Sequence, residues 1–262
     1  MSLDQPNSFV KHQTPTSDAF LGGRLIVSQP SHGFRAGLDS VILGAAVSRE
    51  SRTLLDLGAG AGVAGLVALA NTPELSAVLV DREPEALALA RANILANGFE
   101  SRAHAVDVDV TAKGSLRSAA GLPSEHFTTV IANPPFFERT RGTQAPHEGR
   151  AAARHMDSSE SLDLWVKTAA MHAAPGGEIV FVHLAQALPD LLAAFDARFG
   201  AVTILPLAPR KGQECTRVLV RGIKGSKAPL RLLSARALHE EAGRNFAREF
   251  EGIFRGTGRL IW

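Results

Sequence analysis

The residues best suited to chemistry are Asn133-Pro134-Pro135-Phe136, which follow the apolar run Val130-Ile131-Ala132. The run reads as a short buried strand. Two prolines cannot continue a ladder, because neither has an N–H to donate. Asn133, which precedes a proline, is pushed out of the α region. It is therefore held extended at a strand end, with one amide acceptor and two donor hydrogens. The Asn133 side-chain oxygen and the Pro134 carbonyl could take both hydrogens of an amino group conjugated to a flat ring. That arrangement favours the pyramidal nitrogen that attacks an electrophile, and Phe136 could stack on the ring. The competing reading is a plain strand-ending turn, since Asn and Pro are ordinary turn residues.

These residues need a second component, and a glycine loop offers it. Thr53-Leu54-Leu55-Asp56-Leu57 reads as a buried strand and runs into Gly58-Ala59-Gly60-Ala61-Gly62-Val63-Ala64-Gly65. Gly60, Gly62 and Gly65 satisfy a dinucleotide fingerprint, with Asp81 about twenty residues on for a ribose. Asp56, Gly58, Gly60 and Gly62 equally satisfy the pattern of S-adenosylmethionine sites. Both use backbone N–H groups and a bare Cα surface. Two features favour the methyl donor. A carboxylate at Asp56 is awkward beside a pyrophosphate but suits the donor's ammonium, directly or through water. A later strand ends in Asn-Pro-Pro-Phe, and ligands of such sheets lie beyond the carboxyl ends of the strands.

The supporting elements alternate. A small hairpin surrounds Gly22-Gly23, and a helix follows, with Asp39 as its expected N-cap, running to about Arg49. Strands are expected at 53–57, 76–80, 103–108, 127–132, 178–184, 201–207 and 217–223. Helices fall between them at about 63–71, 85–97, 158–174 and 188–199. This spacing implies an α/β fold with a doubly wound, mostly parallel seven-stranded sheet and a short N-terminal hairpin and helix. Residues 1–19 are polar and read as a flexible N-terminus. Residues 20–262 read as one domain, with an extension at 20–50 and a basic C-terminal segment at 201–262. Residues 138–157 form a charged loop.

Composition narrows the class. The chain has 262 residues, 45% hydrophobic and 21% charged, an ordinary globular balance. No apolar run is long enough for a membrane helix, and no secretory leader is evident. The single Cys215 excludes an internal disulfide and a cysteine zinc cluster, so no metal is expected and a reduced, cytoplasmic setting fits. Residues 201–262 carry twelve Lys or Arg against five Glu, a net +7, which leaves the other 200 residues at −5. A basic segment on an acidic body points to a polyanion such as RNA. Arg210, Lys211, Arg217, Lys224, Lys227 and Arg231 are the candidates. Nothing in the sequence fixes an oligomeric state.

In order, DLGAGAG, VLVDRE, DVDVT and ANPPFF resemble the amino-methyltransferases of the class I, Rossmann-like fold. HGFRAGLDSVILGA and RKGQECTRVLVRGIKGSKAPLRLLSARALHE resemble more narrowly the bacterial tRNA1(Val) (adenine-37-N6)-methyltransferase family, over about residues 20–255. The resemblance implies an S-adenosylmethionine-dependent transferase that modifies an exocyclic amino group of RNA, N6 of adenine in a tRNA anticodon loop foremost. It implies Asn133, Pro134, Pro135 and Phe136 as catalytic residues. For the donor it implies Gly37, Asp39, Asp56, Gly58, Gly60, Gly62, Asp81, Arg82 and Asp109, with Asp109 rather than Asp107 at the adenine. The chain departs from relatives at GRNF, where Phe246 stands in place of a common Tyr. Ribosomal RNA amino groups and the glutamine amide of a release factor are the alternative substrates. A dehydrogenase or a non-catalytic RNA-binding module are the alternatives of other classes.

Overall fold

The structure is a computed structural model that describes residues 15–32, 35–135, 158–196 and 198–262, with the side chains of 158–161 left out. Phe136 and the charged loop at 138–157 lie outside the described residues. An antiparallel hairpin, β1 (Thr16–Phe20) and β2 (Leu25–Gln29), opens the fold. The flexible N-terminus expected through residue 19 therefore overlaps a strand that begins at Thr16. Helix α1 (Leu38–Ala45) follows. Then come β3 (Thr53–Leu57), α2 (Val63–Asn71), β4 (Ser76–Asp81), α3 (Pro84–Ala96) and β5 (Ala103–Asp107). The second half holds α4 (Gly114–Ala119), β6 (Phe127–Ala132), α5 (Ser158–His172), β7 (Ala173–Leu184), α6 (Leu188–Asp196), β8 (Phe199–Ala208) and β9 (Arg217–Lys224). Two-residue strands β10 (Arg231–Leu232) and β11 (Arg236–Ala237) and helix α7 (Arg248–Phe254) complete it.

The main sheet runs β10-β8-β9-β7-β6-β3-β4-β5, with β11 also on β8. All seven expected strands are present, and β10 and β11 extend one edge to nine. Only β9 is antiparallel to its neighbours. Strand order reverses between β3 and β6, the switch point where such sheets bind ligands.

The central strands are apolar on both faces because helices cover both. Along β6 and β7, Ile131, Val180 and Val182 join the cluster beneath α1 and α2, while Val130, Ala132, Ile179 and Phe181 join the one beneath α5 and α6. Pro84 takes the first helical position of α3, where its missing N–H costs nothing. The N-cap of α1 is Gly37, not Asp39. Asp39 sits in the first turn and pairs with Arg217, Oδ2 to Nε 2.9 Å. A carboxylate that bridges to β9 is not free to fold back on its own helix start.

Helices α1 and α2 cross at Gly44, where a Cβ would stand 2.4 Å from the Ala64 carbonyl oxygen and 2.7 Å from the Val67 Cβ. The obstacle is backbone and cannot rotate away. Gly44→Ala is expected to destabilise the fold by roughly 1–3 kcal/mol, the cost of overpacking, despite alanine's better helix propensity. Urea unfolding checks this; a change below about 0.5 kcal/mol would show that the helices can separate freely.

Candidate active site

Parallel pairing sets the level of each strand end. Leu57 pairs with Val80 and with Ala132, and Asp81 pairs with Asp107. One step further along the chain, Asn133, Gly58, Asp81 and Asp107 lie abreast across β6, β3, β4 and β5. The two motifs that are 75 residues apart in sequence thus meet at the switch point. Asn133 is half-buried, Pro134 buried and Pro135 exposed. Among the described residues, the Asn133 amide has no hydrogen-bond partner, so its oxygen and nitrogen remain available at the crevice.

The glycine loop is a left-handed turn three times over: φ is +66° at Gly58, +57° at Gly60 and +90° at Gly62. L-residues with a Cβ rarely adopt these values. Gly60 has no atom within 4 Å of where a Cβ would point, so a ligand can approach its bare surface there. Gly58 faces the other way: the Trp165 ring of α5 would lie 2.4 Å from its Cβ. Trp165, missed by the sequence reading, is the floor on which the loop rests.

Asp81 organises the loop. Its Oδ2 accepts from the Gly60 N–H at 2.8 Å, and its Oδ1 accepts from the N–H groups of Arg82 and Glu83. Arg82 reaches the Asp109 carboxylate at 3.2 Å, and the other Asp109 oxygen accepts from the Thr111 N–H and hydroxyl at 2.7 Å. Burial opposes charge on Asp109, but the Thr111 and Arg82 hydrogen bonds outweigh it and hold the pKa below the usual carboxylate value. Asp107 is exposed. The loop carrying Asp109 is braced by Arg117, a buried guanidinium that donates to the carbonyls of Val110 and Ala112 and to His172 Nε2. Burial first, then nearby cations, lower the pKa of His172, which suits a neutral ring accepting from Arg117.

Asp56 is 2% exposed and does not present its carboxylate to the crevice. Its Oδ2 instead accepts from the Gly65 N–H at 2.9 Å and ties α2 to β3 from beneath. The carboxyl expected to meet a donor's ammonium, directly or through water, here supports the loop. Gly37 and Asp39 also lie apart from the glycine loop's contacts, with Asp39 engaged by Arg217 on β9. Two further asparagines were missed. Asn97, the C-cap of α3, exchanges hydrogen bonds with the Ile26 backbone. Asn93 does the same with Ser28 and also donates to the Ala61 carbonyl. Their spacing of four residues on one helix face was the available signal.

Three left-handed glycines with open space at Gly60, and the acidic Asp81 at the neighbouring strand end, fit an adenosyl ligand. Fold and site together define a class I methyltransferase, which takes its methyl group from S-adenosylmethionine. The Methyltransferase small domain family profile matches residues 38–205. A tRNA1(Val) (adenine(37)-N6)-methyltransferase of Shewanella amazonensis is 32% identical over 211 residues, 80% of this chain and 81% of that protein. The enzyme of the same name from Aeromonas salmonicida is 29% identical, over 71% of this chain and 75% of its own length. The chain belongs to the family of these tRNA1(Val) (adenine(37)-N6)-methyltransferases. A crystal structure of a predicted O-methyltransferase from Agrobacterium tumefaciens is 29% identical, with a TM-score of 0.71 over 85% of this chain and 98% of that one. Pyrococcus horikoshii TYW2 in complex with MeSAdo, at 14% identity and a TM-score of 0.52 over 81% of this chain and 72% of that one, shares the fold.

Burial, reduced somewhat by the Gly65 hydrogen bond and reinforced by the charge of Asp81, raises the Asp56 pKa from 3.8 to about 7. The folded protein therefore holds a proton that the unfolded chain releases. This contribution to stability is complete below pH 3.8 and is lost as pH rises through about 7. Asp56→Asn keeps an acceptor for Gly65 but never ionises. Its stability relative to wild type is expected to rise between pH 4 and 8 by roughly 2–4 kcal/mol. Unfolding curves at the two pH values test this, and a constant difference would mean that Asp56 is charged throughout.

Proposed function

We propose that the enzyme methylates the exocyclic amino group of a nucleobase in RNA, N6 of adenine in the anticodon loop of a tRNA, in the cytoplasm. The observation that carries this reading is Asn133: an uncommitted amide at the switch point, followed by Pro134, abreast of Gly58 and Asp81. The Asn133 oxygen and the Pro134 carbonyl each accept one amino hydrogen, which orients the nitrogen lone pair and stabilises the positive charge that develops there. Two acceptors suit an amino group, which has two hydrogens to give, better than a hydroxyl, which has one. In this reading Phe136 stacks on the base, a contact typically contributing about 1–3 kcal/mol. The backbone at Gly58, Gly60 and Gly62 takes the donor, Asp81 its ribose and Asp109, steadied by Arg82, its adenine. Gly37 and Asp39 cover it from α1. The choice of a tRNA rests on the names of the relatives.

The position of the basic residues supports an RNA substrate. The turn at 209–216 joins β8 to β9 at the same edge as Asn133, and 238–247 pairs with it through His239 N–H to the Pro209 carbonyl. Arg210 donates to the carbonyls of Glu240 and Gly243 and fixes the two loops together. Phe246 stacks on His239 and meets Phe254 edge-on, packing that needs no hydroxyl, so the departure from Tyr is tolerated. Lys211 and Arg244 are exposed here, and the Lys211 pair with Glu241, at 3.1 Å, stands in solvent, where such pairs hold a charge only weakly. Lys224 and Lys227 belong to the far edge, because β9 runs antiparallel, and Arg217 and Lys224 are held by Asp39 and Glu125.

Asn133→Ala is expected to slow single-turnover methylation of unmodified tRNA by about 10²–10³-fold, the scale of losing one preorganised polar group, with donor affinity nearly unchanged. Rapid-quench transfer of labelled methyl with parallel calorimetry decides it; near-normal turnover would make Asn-Pro-Pro-Phe a structural turn. Reversing Lys211 and Arg244 to Glu is expected to weaken tRNA binding and flatten its salt slope, while reversing Lys227 and Arg231 should do neither. Filter binding across a salt series that ranks the two pairs equally would remove RNA from this edge.

A further inference from the structure

At the edge opposite the crevice, a cavity of about 650 Å³ lies between the hairpin turn, the C-terminal end of α2 and the segment after α7. Helix α2 separates it from the glycine loop by nine residues, about 13 Å of helix. Arg24, Arg49 and Arg259 line it together with Asn71 and Thr257, and none of the described residues that line it is acidic. Glu50 and Glu74 are chain neighbours of lining residues, but both are exposed outside it.

Part of this charge is structural. Arg24 donates to the carbonyls of Ala70 and Gly256 at 2.7 Å, and Arg259 donates to the Asn71 carbonyl and the Thr72 hydroxyl. Two guanidiniums at the negative end of a helix dipole satisfy its last carbonyls. They leave a third cation unexplained. Arg49 is exposed and has no partner among the described residues, yet it stands close enough to Arg259 that, after burial, its charge is the next cause of that group's lowered pKa. Like charges gathered without a counter-charge cost energy unless an anion joins them. The Asn71 amide nitrogen is also buried without a partner. A buried donor left unpaired is uncommon in folded proteins, and Asn71 is one of the residues that line the cavity.

We propose that this cavity binds a phosphate group, carried by a small phosphorylated compound or by an RNA backbone. The forked guanidiniums of Arg24 and Arg259 retain unused N–H groups, Arg49 supplies the uncompensated charge, and Asn71 and Thr257 supply neutral donors. The cavity falls within the usual range of small-ligand sites, about 300–1,000 Å³.

The test uses the full chain with its donor crevice saturated by S-adenosylhomocysteine, so that anions cannot act there. Inorganic pyrophosphate is expected to raise the thermal midpoint by about 2–4 °C over sodium chloride of equal ionic strength. Arg49→Glu and the milder Arg49→Gln are expected to lose that rise, and Arg49 is exposed with no hydrogen-bond or ion-pair partner among the described residues that the change would break. Arg91→Glu, the same charge change on an exposed residue of α3 outside the cavity, should keep it. Unmodified tRNA is titrated against the same variants by anisotropy. Loss of the pyrophosphate response with tRNA affinity equal to the Arg91→Glu control assigns the site to a small phosphorylated compound. A roughly tenfold further loss of tRNA affinity in Arg49→Glu assigns it to RNA. If both Arg49 variants respond to both probes as the control does, the cavity is not an anion site and the proposal fails.

Discussion

A single buried hydrogen bond, from the Gly65 N–H to the Asp56 carboxyl, governs the geometry of the donor loop. It joins the last turn of a strand to the first turn of a helix and so fixes both ends of the intervening glycine turn. Glycine at 65 suits this bond, because a Cβ would stand 2.3 Å from Leu79 Cδ2 and 3.1 Å from Asp56 Oδ2, and Leu79 would have to shift. The turn between these ends is held at three more places: Gly60 N–H on Asp81, Ala59 N–H on the Val80 carbonyl, and the Ala61 carbonyl on Asn93. A loop restrained by β3, β4, α2 and α3 needs little ordering when a ligand arrives, which is the energetic advantage of preorganisation. Burying the carboxyl is costly, and its raised pKa is the visible sign of that cost.

The N-terminal hairpin is tied into the same unit by side chains that imitate a strand. Asn93 and Asn97 each use both ends of an amide against the β2 backbone, so the edge of the hairpin pairs with a helix as if with a sheet. Because Asn93 also reaches Ala61, the hairpin and the donor loop share a residue that is 1% exposed. Arg117 does comparable work on the other side, where its fork fixes the loop after β5 and so the position of Asp109.

Much of this was legible in the chain itself, for identifiable reasons. The strands at 53–57, 76–81 and 127–132 are largely apolar, and their ends are marked by Gly58, Asp81 and Asn133, a left-handed glycine, a carboxylate and a residue held by the proline that follows it. What escaped were the effects of distant partners. Asp39 reads as an N-cap locally, but Arg217 lies 178 positions away in sequence and claims its carboxylate. Asp56 reads as a ligand group, and nothing in its own segment shows that the fold buries its carboxyl under α2. Helix α4 has six residues and no apolar stripe, and β10 and β11 have two each, too short for periodicity to register. Trp165 looks like any core aromatic; only the left-handed backbone of Gly58 against its ring makes it part of the site.

The place of β9 in the sheet bears on how the protein is made. Strand β8 pairs with β9, β10 and β11, all of which follow it in the chain. As the polypeptide leaves the ribosome, β8 has no seat until β9 has slotted against β7. During that interval the long apolar edge of β7, with Val180, Phe181 and Val182, stands open. An unpaired edge of this kind is where nascent chains associate wrongly. The rate at which the ribosome delivers residues 199–224 thus sets how long the half-built sheet is exposed to its neighbours.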